Sequence, residues 1–278
     1  MPTTYGVGTT SFRPEIIDPY DRTRGLNPMG AKTALLAFAD GDPRPALRGA
    51  LRSDPAEVLG LVRELHPTYE VTPIGDSSLG DDAYPPDDTS YATIRPGVEL
   101  LCDRRLVTGS PSRLPGRLLK RGAHRRIILH SMHSMSDALT FAVWENGDLV
   151  RSLSLSPDGG IVENIGEPYG FELPYWAGDR PVGATLSGDP YALPFHPLDL
   201  GEDALRFLFG FILEGQPHPD DTDPFDVHLH GFRVADPTGR EQAEREAAMQ
   251  ALLARMKPPR RYEMQPDGTL REITADGS

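Results

Sequence analysis

The chain is short of the features that announce a location or a chemistry. It has one cysteine, Cys102, so no internal disulfide is available and a reducing compartment fits best. Cys102 ends the apolar run Val98-Glu99-Leu100-Leu101-Cys102, which reads as a buried packing thiol, since the local sequence offers no thiolate-stabilising partner. No run approaches the ~20 apolar residues that cross a bilayer, and the amino terminus lacks the apolar core of a secretory signal. A cytoplasmic protein is expected. Basic charge is scarce as well: 28 Lys and Arg against 41 Asp and Glu give a formal net charge of -13, which opposes nonspecific attraction to nucleic acid or anionic lipid. Neither is expected as a partner.

Complete catalytic motifs are also lacking. Gly30-Ala31-Lys32-Thr33 interrupts the Gly-Lys contact of a phosphate loop and leads into a strand where a helix is required. Gly75-Asp76-Ser77-Ser78-Leu79-Gly80 has one residue too many for a nucleophile elbow. Asp220, Asp221, Asp223 and Asp226 fail every EF-hand register.

What is present patterns as an α+β domain, mainly an antiparallel sheet with helices packed against it. With 38% hydrophobic residues, a chain of this length buries a full core. Residues 1–28 lack any period and read as a disordered tail, or as an extension ahead of a natural start at Met29. A single α+β domain is expected over residues 29–235, followed by an amphipathic helix over 236–257 with Met249, Leu252, Leu253 and Met256 as its stripe, and a disordered tail over 258–278.

Within the domain, residues 33–39 are apolar on both faces and end at Asp40-Gly41-Asp42-Pro43, a buried central strand meeting a turn. Asp54-Pro55 supplies an N-cap and first-turn proline for a helix with Val58, Leu59, Val62 and Leu65 at helical spacing, stopped by His66-Pro67. Residues 69–74 read as a short strand, 75–88 as a surface loop, 90–94 and 98–102 as strands, and 112–121 as a helix weakened by Pro115. Asn146-Gly147 between residues 138–145 and 148–155 is the pattern of a two-residue type I′ hairpin, with Val143 expected opposite Val150 and Thr140 opposite Leu153. A second turn at Asp158-Gly159 into residues 161–165 extends this to a three-stranded meander. A helix is expected from Gly201 through Leu213, and a last strand over 226–234.

Three groups of residues carry possible chemistry. His228 and His230, two apart on a strand, share one face, and with His130, His133, Asp137 and Glu163 they compose a candidate polar cluster for zinc or iron. An extended strand points His130 and His133 to opposite faces, so this reading needs the chain to turn there. Arg104, Arg113, Arg117 and Arg121 stand in a basic stretch inside an acidic protein, a candidate contact for an anion or partner. The plainer reading is cations favouring a helix C-terminus. The Pro- and Gly-rich segment 167–197 contains Tyr175, Trp176, Phe195 and His196, a candidate recognition loop.

The stretches Met-Gly-Ala-Lys-Thr-Ala-Leu-Leu-Ala-Phe-Ala-Asp-Gly-Asp from Met29, Phe-Ala-Val-Trp-Glu-Asn-Gly-Asp-Leu-Val-Arg from Phe141, Pro174-Tyr175-Trp176-Ala177-Gly178 and Pro194-Phe195-His196-Pro197-Leu198 resemble an uncharacterised actinobacterial domain family of unknown function, over about residues 29–234. The resemblance implies no activity, cofactor or site residue. The expectation is therefore a non-enzymatic binding or regulatory domain, with no cofactor, meeting a protein or small-molecule partner. A metal-dependent hydrolase using the His/Asp cluster is the alternative.

Overall fold

The computed structural model describes residues 30–182, 191–255, 261–264 and 270–273. In chain order it runs β1 (Lys32–Ala39), α1 (Arg44–Leu47), α2 (Pro55–Leu65), β2 (Glu70–Ser78), α3 (Leu79–Asp82), β3 (Thr89–Arg95) and β4 (Val98–Asp103). Then come α4 (Gly116–Arg121), β5 (Arg126–His133), β6 (Ala138–Glu145), β7 (Asp148–Ser156), β8 (Gly160–Ile165), α5 (Leu173–Trp176), α6 (Pro197–Phe209), β9 (His228–Ala235) and α7 (Arg240–Arg255). Arg261–Met264 (β10) pairs with Leu270–Ile273 (β11) in a separate two-stranded sheet. The expectations for residues 1–29, for Met256 and for the rest of the 258–278 tail lie outside the described residues.

Among the described residues, nine strands form one antiparallel sheet in the order β2-β9-β3-β4-β1-β5-β6-β7-β8. β1 lies at its centre, paired on both sides, which is why its apolar residues face both ways. Because strand side chains alternate, Leu35 and Ala37 enter one core with Ile128, Phe141 and Leu153, while Leu36 and Phe38 enter the other with Leu101, Leu129 and Trp144. α6 covers the first face and α2 with α4 the second. Burying one such Leu or Phe side chain stabilises by about 1.5–3 kcal/mol before entropy is counted, so two full cores hold this sheet.

α2 follows its sequence signals closely. Asp54 Oδ1 accepts from the Ala56 and Glu57 amides at 2.7 and 3.4 Å, Pro55 occupies the first turn, and Val58, Leu61, Val62 and Leu65 face the sheet. α6 starts earlier than expected, at Pro197, and stops at Phe209, because Gly210 turns left-handed with φ 82° and accepts no further turn. The helix expected over 112–121 is split at Pro115: residues 111–113 form a 3₁₀ turn and α4 begins at Gly116. The loop expected over 75–88 is shorter, since β2 continues to Ser78 and α3 follows.

The Asn146-Gly147 hairpin forms with both residues at positive φ, and Glu145 faces Asp148. Its register departs from the expected one beyond Trp144. Val150 is an extra residue on β7, so Val143 faces Arg151 and Thr140 faces Ser154. A bulge of this kind reverses side-chain parity on one strand, and here it swings Arg151 into the α6 core and leaves Val150 exposed.

β2 carries a second bulge. Pro73 faces Phe232, but Gly75 faces Gly231, so Ile74 is the extra residue. Gly231 accommodates the crossing, since a Cβ there would meet the Tyr91 ring at 2.5 Å and the Gly75 carbonyl at 2.6 Å. Without Ile74, Asp76 would point away from the face that carries His228 and His230. With it, Asp76 lies opposite His230 on the α2 side.

Candidate functional site

α2 begins and ends at polar groups. At its C-terminus, His66 and Asp103 are buried together, with His66 Nε2 3.2 Å from Asp103 Oδ2. That is ion-pair distance without hydrogen-bond geometry, and neither ring nitrogen of His66 has a hydrogen-bond partner among the described residues. Asp103 accepts from the Arg105 amide at 2.7 Å and from the Ser90 hydroxyl. Burial pushes its carboxyl up, but His66 and Arg105 outweigh that and hold it below the usual carboxylate range.

This pair borders a cleft of about 290 Å³ between α2, α4 and the sheet. Leu65, Leu106, Leu114 and Leu118 supply apolar wall, and Arg105, Arg113 and Arg117 stand around it. Arg105 is committed: its guanidinium donates to Glu241 at 3.0–3.1 Å and to the Val234 carbonyl at 2.8 Å. Arg117 gives only its Nε to the Leu65 carbonyl, at 3.1 Å, and neither Arg113 nor Arg117 has a carboxylate within ion-pair distance among the described residues. Both are exposed. The sequence signal for this site was the basic stretch, from which the structure takes Arg113 and Arg117 to the cleft. Arg104 instead pairs with Asp87 at 3.4 Å and lies over Tyr84, and Arg121 is held by Glu64 and Glu99 at 2.5 and 2.9 Å. His66 and Asp103 carried no sequence signal beyond helix end and strand end.

The six-residue polar cluster is not assembled. His130 is fully buried under α6: Thr33 Oγ1 lies 2.8 Å from its Nδ1 and the Gly201 carbonyl 3.1 Å from its Nε2. Burial drives its pKa down to about 3, outweighing the Gly201 carbonyl. β5 continues straight through to His133 without the turn that a shared site required. His133 stacks edge-on against Tyr84, and burial, then Lys32 and Arg104, lower its pKa. Asp137 lies 3.3 Å from the Tyr191 hydroxyl and 3.7 Å from His196 Nε2. Glu163 accepts from Ser112 and Ser152, and although burial pushes it up, those hydrogen bonds hold it low.

His228 and His230 do stay together, and Asp76, which sequence reasoning passed over, joins them. They stand on β9, separated from β5 by β3, β4 and β1, which at ~4.8 Å per strand is roughly 19 Å from His130, and they face the opposite side of the sheet.

The candidate recognition loop turns inward. Tyr175 and Phe195 are buried in the α6 core, Trp176 packs edge-on to Phe195 at 5.0 Å, and His196 caps α6 by accepting from the Leu198 amide. Aromatic rings of this size are worth more against a sheet than in water. An ion pair fastens the segment: Arg151 donates to Glu172 at 2.9 and 2.6 Å with both side chains fully buried, and to Asn164 and the Ile165 carbonyl.

The sheet, its two helical covers and a polar cleft beside α2 define an α+β domain with a preformed concave site. The family follows from the sequence match: the chain belongs to a family of unknown function, DUF6928, whose model covers residues 33–232. No curated protein and no solved structure matches the chain. No helix among the described residues is long and apolar enough to cross a membrane.

Proposed function

We propose that this is a non-enzymatic binding domain whose α2/α4 cleft takes a small organic anion, a carboxylate or phosphate monoester with a short apolar body. The observation that supports it is the lining: two guanidinium groups with no carboxylate at ion-pair distance among the described residues, leucine walls, and at the base a buried imidazole at ion-pair distance from Asp103 but without a hydrogen bond. Guanidinium forks suit carboxylate and phosphate oxygens, and leucines hold an apolar body. In this reading β6, β7 and β8 act as a three-stranded meander that presents Glu163 to Ser112 beside Arg113, and the domain works in the cytoplasm, where its lone thiol stays reduced. The dispersal of His130, His133, Asp137 and Glu163 away from His228 and His230 speaks against the six-residue hydrolase site.

The test is thermal denaturation of the full chain with a panel of carboxylates and phosphate monoesters beside their neutral amides and alcohols. A ligand that binds only the folded chain raises Tm saturably. At least one anion is expected to do so while its neutral counterpart does not, with the shift lost in Arg113→Met/Arg117→Met. No shift across the panel, or an undiminished shift in the double variant, overturns the proposal.

A further inference from the structure

The other end of α2 carries a separate site, independent of the cleft. We propose that Asp76, His228 and His230 bind one divalent first-row transition-metal ion at the β2–β9 edge of the sheet.

The three side chains offer one ligand atom each, all within 4.8 Å of one another. The Asp76 carboxylate spans the two rings, Oδ1 lying 2.8 Å from His230 Nδ1 and Oδ2 3.0 Å from His228 Nε2. The far side of His230 decides what must sit between them. Its Nε2 lies 3.1 Å from the Ser53 carbonyl, and a carbonyl only accepts, so Nε2 carries the ring proton. The Nδ1 of a neutral His230 then aims a lone pair at a carboxylate oxygen 2.8 Å away. Two acceptors at that distance need positive charge between them, a second ring proton or a cation.

Several features favour the cation. An imidazole whose outer N–H is tied to a backbone carbonyl is the arrangement that orients metal-ligating histidines. Ser53 precedes the Asp54 cap of α2, so that carbonyl is held by the helix start. Two imidazoles with one carboxylate suit zinc, iron and their neighbours, whereas Mg²⁺ and Ca²⁺ take oxygen ligands. Asp76 is half-exposed at the sheet edge while both rings are nearly buried, so three protein ligands leave a position open to water. Metal–ligand distances of about 2.0–2.2 Å place ligand atoms roughly 3.3–3.5 Å apart, so the two carboxylate–ring spacings of 2.8 and 3.0 Å widen by a few tenths of an ångström around the ion. Arg52 is the opposing charge, with Nη1 3.8 Å from Asp76 Oδ2, but its side chain is largely exposed and free to swing out.

Isothermal titration of the full chain with Zn²⁺ is expected to show one site, with no saturable heat from Mg²⁺. Asp76→Asn and His228→Ala are each expected to weaken Zn²⁺ binding about tenfold or more without changing the far-ultraviolet circular dichroism. Co²⁺ supplies a readout that does not depend on the variants: its visible absorption should report nitrogen–oxygen coordination in the unmodified chain. Absence of saturable Zn²⁺ binding, or equal affinity in the folded variants, overturns the proposal, as does a Co²⁺ spectrum indistinguishable from the aquo ion. Anion binding in the cleft is a separate measurement and stands or falls by itself.

Discussion

His130, buried on the α6 face of the sheet, has both ring nitrogens matched, whereas His66 and His228 on the α2 face keep ring nitrogens with no hydrogen-bond partner among the described residues. The Met132 amide donates to Thr33 Oγ1, that hydroxyl faces His130 Nδ1, and His130 Nε2 meets the Gly201 carbonyl. A neutral imidazole satisfies every step. In the contrasting case, His228 Nδ1 and both ring nitrogens of His66 find no hydrogen-bond partner among the described residues, although His66 Nε2 lies at ion-pair distance from Asp103. A matched buried polar group holds a fold in one arrangement, whereas an unmatched one costs stability until a ligand arrives. The difference between these histidines sets a closed network under α6 against the proposed binding groups beside α2.

The largest test of that contrast is Glu172→Ala, which strands the buried Arg151 charge and releases the 167–182 segment. A loss of about 3–5 kcal/mol is expected, read by urea denaturation, and a loss below about 1 kcal/mol would show that the pair does not fasten the scaffold. Acid provides the next effect. The unfolded His130 imidazole takes a proton near 6.5 while the folded one resists it down to about 3. Through that window the unfolded chain binds the extra proton, so stability falls as pH drops below 6.5, by up to about 1.4 kcal/mol per pH unit. His130→Gln should be less stable at pH 7 and show a shallower acid slope; an unchanged slope breaks the assignment. Smallest is Arg117→Met on the α2 face. A change within about 0.5 kcal/mol is expected, and a larger loss would make Arg117 part of the scaffold.

Much of the scaffold was legible because its signals are local. Asp54-Pro55 with helical leucine spacing, the two-faced apolar run of β1 and Asn146-Gly147 each dictate one element through nearby residues. The α2-face sites were not legible for a reason of the same kind. His228-x-His230 marks a shared face but cannot name the carboxylate on the neighbouring strand, and Arg113 and Arg117 are indistinguishable in sequence from Arg104 and Arg121 until Asp87, Glu64 and Glu99 claim the latter two. The aromatic loop turns inward because the buried Arg151–Glu172 pair fastens it, and that pairing depends on the extra residue Val150. Pairing across strands is a long-range property, and one extra residue changes it.

Ile74 shows what that means for how the edge site is encoded. Its side chain is exposed and supplies none of the three ligand groups, so replacing it with alanine should leave Zn²⁺ binding intact. Deleting it should abolish that binding, because residues 75–78 would each change face. The information at this position is a count and not a chemical identity: a comparison of relatives residue by residue would score it as free to vary, while a comparison of their lengths would find it indispensable.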